Sequence, residues 1–174
     1  MALVGLQEIV GGYQPPRQRE DPGALFGPQY MIPEIRLLSG KVTKRTLPVV
    51  RPSSTPDSRT LKRLMLPQGE LAQFYDGDEG IRYIAQIELQ DGSVRGNHYH
   101  KMKHEWVYMM SGEVTLVLED LESRTRETVS LLAGDLAFIQ TCVVHALQVT
   151  KSGQAIEFST SRFDPADIYR HKLV

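Results

Sequence analysis

The chain has 174 residues, of which 41% are hydrophobic and 24% are charged, and these values are typical of one soluble globular domain. Twenty basic residues stand against 21 acidic residues, so the formal net charge is −1 and no basic field is available to hold a nucleic-acid backbone. The only cysteine is Cys142, which excludes an intramolecular disulfide.

The longest apolar runs are far shorter than the roughly 20 residues that a membrane-spanning helix needs. The N-terminus lacks the basic region and the continuous apolar core of a signal peptide. We therefore expect a cytoplasmic protein with neither a nucleic-acid nor a membrane partner.

The first third of the chain is rich in proline, since nine of the ten prolines precede residue 68. Proline removes a backbone donor and fixes φ, which disfavours long helices and central strands. Apolar residues such as Phe26, Tyr30 and Leu37 could nevertheless pack on a folded body. Residues 1–60 are interpreted either as an extended arm across the domain or a partner subunit, or as a partly disordered tail.

From residue 61 onward, short runs with strand-like alternation are separated by turn signals, and this pattern is typical of an all-β sandwich or barrel. Turns are predicted at Ser111-Gly112 and Ser152-Gly153, among other places. The barrel is predicted over residues 61–163, and residues 164–174 form a short C-terminal helix or tail because Asp164 and Pro165 suit a helix start. The predicted strands are Leu61–Leu66, Ile81–Leu89, Glu105–Met110, Glu113–Glu119, Arg126–Leu131, Leu136–Gln140, His145–Thr150 and Ala155–Ser161.

Four of the five histidines lie between residues 98 and 145. On a strand, His98 and His100 point to the same side, so their imidazoles can converge on one point. A tight turn could bring the Glu105 carboxylate beside them, and a neighbouring strand could supply His145. Three imidazoles and one carboxylate suit one divalent metal ion, namely zinc, iron, manganese or nickel, and leave coordination positions for water or substrate.

The spacing of these residues resembles the first motif of the cupin superfamily, in which glycine, a His-x-His pair, glutamate and a second glycine follow at fixed intervals. Gly92, His98, His100, Glu105 and Gly112 match every position. The resemblance implies a double-stranded β-helix, also called a cupin or jelly-roll barrel, with a metal in its mouth, and often a homodimer. It also implies His98, His100, Glu105 and His145 as the metal ligands.

The second cupin motif is matched only in part. Gly134 and His145 stand at the expected positions, whereas Gln140 replaces the family's proline, Cys142 its glycine and Val149 its asparagine. The motif therefore keeps its ligand and departs from the family at its turn residues.

The hexapeptide Arg95-Gly96-Asn97-His98-Tyr99-His100 is similar to the signature of cupins that process nucleotide-linked keto-sugars. This similarity favours an epimerase or isomerase that acts on a small carbonyl compound, because a metal-bound carbonyl acidifies the neighbouring C–H bond. His104 and Tyr108, together with Tyr99, are candidate acid–base groups. Arg95 is a candidate for binding a phosphate or carboxylate of the substrate.

Two other functions fit the same residues. Iron held by three histidines and a carboxylate could serve an iron-dependent dioxygenase. Alternatively, the barrel could be a non-catalytic module that binds a small-molecule ligand. Among the remaining histidines, His104 is expected in a solvated position or behind the ligands, and His171 on the surface.

Overall fold

The computed structural model describes residues 32–52 and 61–174, whose regular structure is β-strand apart from two short 3-10 turns at Leu38–Gly40 and Pro165–Asp167. No helix in these two ranges is long and apolar enough to cross a membrane. The strands are β1 (Glu34–Leu37), β2 (Val42–Thr46), β3 (Val49–Val50), β4 (Lys62–Leu66), β5 (Gly69–Gln73), β6 (Tyr83–Leu89), β7 (Val94–Tyr99), β8 (Glu105–Asp120), β9 (Arg126–Leu132), β10 (Asp135–Ile139), β11 (Val143–Ser159) and β12 (Tyr169–Arg170).

Two long antiparallel strands, β8 and β11, form the spine of the fold and pair along most of their length. The first half of β8 and the second half of β11 belong to a ladder that β10, β2 and β1 extend on one side and β6 on the other. The second half of β8 and the first half of β11 belong to a second ladder with β9, β7 and β12. These two antiparallel ladders confirm the predicted all-β double-stranded β-helix.

Strands β8 and β11 each pass from one ladder to the other at a glycine, Gly112 and Gly153 respectively. Both glycines were predicted to lie in turns. Gly112 has φ +81°, and a Cβ atom on Gly153 would lie 2.2 Å from the Ser111 carbonyl oxygen, so the two backbones pass too closely for a side chain. The pairing register also shifts on either side of residues 151–154. The predicted turns at Ser111-Gly112 and Ser152-Gly153 are therefore wrong: the residues form bulges inside continuous strands.

The interior of the barrel is apolar, and both ladders contribute to it. Its most buried members include Met109, Val114, Leu116, Leu118, Leu131 and Ala155. A second apolar cluster lies on the outer face of β8, where Tyr108, Leu136 and Phe158 pack against Phe74 and Leu47. The separate sheet of β3, β4 and β5 adds Ala72 to this outer cluster.

The described part of the proline-rich segment contributes strands. β1 and β2 form a hairpin, and β2 pairs with β10 from Val42↔Ile139 to Thr46↔Asp135. Residues 1–31 and 53–60 of the predicted arm lie outside the described residues, so the division at residue 60 stays a prediction.

The C-terminal helix predicted from Asp164 is limited to a single 3-10 turn. The Asp164 side chain caps the turn by accepting a hydrogen bond from the Ala166 amide at 2.8 Å. The helix does not continue, because Tyr169 and Arg170 pair in β12 with Tyr99 and His98 of β7.

Candidate metal centre

Three neighbouring elements bring the four predicted ligands together inside the barrel. His98 lies near the end of β7, and His100 follows that strand with its side chain on the same side. Glu105 begins β8, and His145 of β11 is paired in register with His98. Four ligand atoms, one from each residue, all lie within 4.8 Å of one another, and His100, Glu105 and His145 are buried.

The closest contacts within the cluster join nitrogen and oxygen atoms that could bind one ion. His145 Nε2 lies 2.9 Å from Glu105 Oε1 and 3.2 Å from His98 Nε2, and His100 Nε2 lies 3.6 Å from Glu105 Oε2. Bonds of about 2.0–2.2 Å from such atoms to one metal would set neighbouring ligands roughly 2.9–3.6 Å apart. The spacing of this donor set therefore fits a divalent transition metal.

Backbone carbonyl groups fix the orientation of two of the imidazoles. His100 Nδ1 donates to the Asp167 carbonyl at 2.6 Å, and His145 Nδ1 donates to the Val143 carbonyl at 3.1 Å. Because a carbonyl only accepts, each Nδ1 carries a ring hydrogen, and in the neutral imidazole each Nε2 turns a lone pair toward the cluster. Metal-binding histidines usually donate their other ring nitrogen in this way, so the orientation of both rings is compatible with a bound cation.

The environment favours neutral imidazoles at His98 and His100 and an ionised carboxylate at Glu105, whereas His145 is shifted toward its protonated form. Burial and the neighbouring His145 lower the pKa of His98 to about 4, and burial also lowers the pKa of His100. Burial opposes ionisation of Glu105, but His145 and Lys103 hold its pKa well below the usual range. The pKa of His145 is raised because the charge of Glu105 outweighs the opposing effect of burial.

A buried lysine and a second glutamate lie beside the cluster, and neither was predicted from the sequence. Lys103 Nζ donates to Glu105 Oε2 at 2.9 Å and to Glu157 Oε1, and it also lies 4.7 Å from the centre of the Tyr83 ring. The only signal in the sequence is that Lys103 stands two residues from Glu105, on the same side of the chain. Glu157 has no such signal, since its position depends on the pairing of β11 with β8.

The structure places the predicted acid–base residues on the far side of β8. Glu105 faces the interior, whereas His104 and Tyr108 face the outer aromatic cluster. The His104 ring contacts Trp106, and its Nε2 lies 3.0 Å from the Thr160 hydroxyl oxygen. Tyr108 stacks on Phe74 at 4.4 Å. Neither side chain joins the cluster, so neither is carried into the proposed mechanism.

The other predicted residues also lie apart from the ligands. Arg95 is exposed and donates to the Glu88 carbonyl at 3.3 Å, and Tyr99 stacks on Tyr169 at 5.0 Å. His171 is partly buried, with Nε2 3.5 Å from Glu119 Oε1. Contacts between Arg95 and the cluster are absent from the described residues, so its substrate-binding role stays a prediction.

Cys142 supports the site through its backbone. It occupies the position of a family glycine and keeps the left-handed conformation that suits glycine, with φ +61°. Its amide donates to the His100 carbonyl at 2.7 Å, which ties the loop before β11 to the segment that carries His100. The departure from the second cupin motif therefore leaves this turn in place.

Comparison with known families assigns the chain. The model of the family described as polysaccharide biosynthesis C-terminal domain matches residues 68–166, which is more than half of the chain and includes all four clustered residues. The chain therefore belongs to this family. A search of curated protein sequences gave no match.

Three solved structures illustrate the fold that this chain shares with known proteins. A 3,4-ketoisomerase from Helicobacter canadensis is 18% identical, with 64% of this chain and 86% of that chain covered and a TM-score of 0.57. A dTDP-6-deoxy-D-glucose-3,5-epimerase from Legionella pneumophila is 14% identical, with coverage of 83% and 79% and a TM-score of 0.62. A 3'-monoepimerase from Streptomyces bikiniensis is 15% identical, with coverage of 78% and 71% and a TM-score of 0.62.

Proposed function

We propose that this protein is an isomerase or epimerase that acts on a nucleotide-linked keto-sugar. The observation that carries the proposal is the cluster of His98, His100, Glu105 and His145 inside the barrel of a chain from a polysaccharide biosynthesis family. The folds of a 3,4-ketoisomerase and of two sugar epimerases support the same reaction class.

We further propose that the four residues hold one divalent ion of zinc, iron, manganese or nickel. Three imidazoles and one carboxylate leave coordination positions open, as in catalytic sites. When bound, such an ion supplies Lewis-acid polarisation of a carbonyl oxygen, which acidifies the neighbouring C–H bond. Conversion of a keto-sugar then requires only that a protein group remove a proton from carbon and return one.

The protein residues contribute orientation and charge to this chemistry. The carbonyl groups of Asp167 and Val143 hold two imidazoles with Nε2 toward the centre. Lys103 donates a hydrogen bond to Glu105 Oε2, whereas Glu105 Oε1 faces His145. His100, Glu105 and His145 are buried, and burial strengthens the electrostatic interactions among them.

The test is solvent deuterium exchange into TDP-4-keto-6-deoxyglucose, the keto-sugar held by one of the ketoisomerases of the same fold. The metal-loaded protein should incorporate deuterium next to the carbonyl, His100→Ala should not, and His171→Ala should behave like the wild type. Absence of exchange with this and other nucleotide-linked keto-sugars would contradict the proposal, and iron content with oxygen uptake would favour the dioxygenase. Homodimer formation stays a prediction.

A further inference from the structure

A line of charged side chains runs from the metal ligand Glu105 toward solvent. The exposed fraction of the side chain rises from 5% at Glu105 to 7% at Lys103 and 19% at Glu157. Lys103 contacts both carboxylates, so Glu157 is held beside the cluster without belonging to it. Of these three side chains, that of Glu157 is the most exposed.

The two carboxylates share a single ammonium group, and their environments differ. Glu105 contacts both His145 and Lys103, whereas Glu157 has only Lys103 as a charged hydrogen-bonding partner in the contacts described. Burial and the charge of Glu105 raise the pKa of Glu157. Glu157, which contacts Lys103 alone, is therefore the less strongly paired carboxylate of the two.

The other polar neighbours are poor proton acceptors. Lys103 is paired with two carboxylates and keeps its positive charge. Burial raises the pKa of the Tyr83 phenol, which keeps its hydrogen near neutral pH. Glu157 thus combines partial exposure, a carboxylate and a position fixed by Lys103 beside the four residues.

We propose that Glu157 is the acid–base residue of this site and that Lys103 positions it. This inference rests on the proposed function. The Glu157 carboxylate takes the proton from the carbon next to the substrate carbonyl: that C–H bond breaks, an O–H bond forms, and the electron pair moves to give an enolate. In a 2-hydroxy ketone, the hydroxyl proton then moves to the former carbonyl oxygen, and the Glu157 carboxylic acid delivers its proton to the former carbonyl carbon, so that the carbonyl and hydroxyl groups exchange places.

The test compares Glu157→Gln with the wild type in the deuterium-exchange assay, with zinc affinity measured in parallel. Glutamine keeps the hydrogen bond from Lys103 but cannot accept the proton, so exchange should fall about 100-fold or more while zinc affinity stays unchanged. Glu157→Asp retains a carboxylate and should keep a measurable part of the activity. Glu70→Gln removes an ion-paired glutamate from the separate sheet and should exchange like the wild type.

The outcomes separate the inference from the function on which it rests. If the wild type shows no exchange, the proposed function fails. If the wild type exchanges and Glu157→Gln exchanges at the same rate, the assignment of Glu157 is overturned. Equal losses in Glu157→Gln and Glu157→Asp, accompanied by weaker zinc binding, would also overturn it, because that pattern indicates a structural role.

Discussion

The C-terminal segment should control metal affinity through Asp167. The Asp167 carboxylate accepts hydrogen bonds from the amides of Lys101, Met102 and Lys103 at 2.8–3.2 Å, and its backbone carbonyl accepts from His100 Nδ1. These contacts hold the turn between His100 and Glu105. Asp167→Ala should therefore loosen two metal ligands at once.

The size of the effect follows from these contacts. A hydrogen bond to a charged group contributes about 1.5–3 kcal/mol. The Lys101 and Met102 side chains are exposed, and water can replace the carboxylate at their amides, so only the buried bond to Lys103 should be lost in full. We expect a loss of about 2–3 kcal/mol in the free energy of unfolding and a 10–100-fold loss of metal affinity, roughly as for other groups that orient metal ligands.

Zinc affinity should be measured by competition with a chelator, and stability by denaturant unfolding of the metal-free protein. Asp164→Ala is the matched control, since this nearby aspartate accepts one exposed hydrogen bond and contacts no ligand. Asp167→Asn keeps the side-chain shape and should show a smaller loss in the same direction. Unchanged zinc affinity in both Asp167 variants would refute the reasoning.

Three further predictions concern the scaffold. Lys41 lowers the pKa of Asp120 from 3.8 to about 2. This ion pair therefore stabilises the fold above about pH 4, and its contribution is lost as the pH falls toward 2. Between pH 5 and pH 3, the free energy of unfolding measured with denaturant should fall less for Asp120→Asn than for the wild type. Gly153→Ala should destabilise the barrel by more than about 2 kcal/mol, whereas Gly80→Ala, with open space at its Cβ, should be nearly neutral; equal melting temperatures would contradict the assignment of a bulge. Cys142→Gly should raise stability by about 1 kcal/mol by relieving the positive φ, and a lower melting temperature would show that the cysteine side chain contributes more than the strain costs.

The strand pattern and the proximity of His98, His100 and Glu105 could be predicted from the sequence because both depend on local spacing. Alternation gives the inner face of β8, and the spacing of the His-x-His pair and Glu105 brings three of the four clustered residues together. The same alternation places Tyr108, three residues from Glu105, on the opposite face, so its exclusion from the site could also have been predicted. The hairpin of β1 and β2 lies between Pro33 and Pro48, where proline does not interrupt pairing.

Other features could not be predicted because they depend on contacts between distant segments. A glycine that permits a turn has the same local signature as a glycine that permits two strands to pass closely, so the bulges at Gly112 and Gly153 resembled turns. Lys103 lies among polar residues that normally face solvent. Its burial depends on Glu157, which is brought beside it only when β11 pairs with β8.

The central claim is that three histidines and one glutamate form a metal centre, and metal stoichiometry tests it most directly. Protein purified without chelators should contain about one equivalent of a divalent transition metal per chain, as a single four-ligand site requires. His100→Ala should lose this metal. His104→Ala should retain it, because His104 lies four residues after His100 but outside the cluster, with its side chain facing away from that of Glu105. A metal-free wild type that does not take up added zinc, iron, manganese or nickel, or full metal content in His100→Ala, would contradict the account.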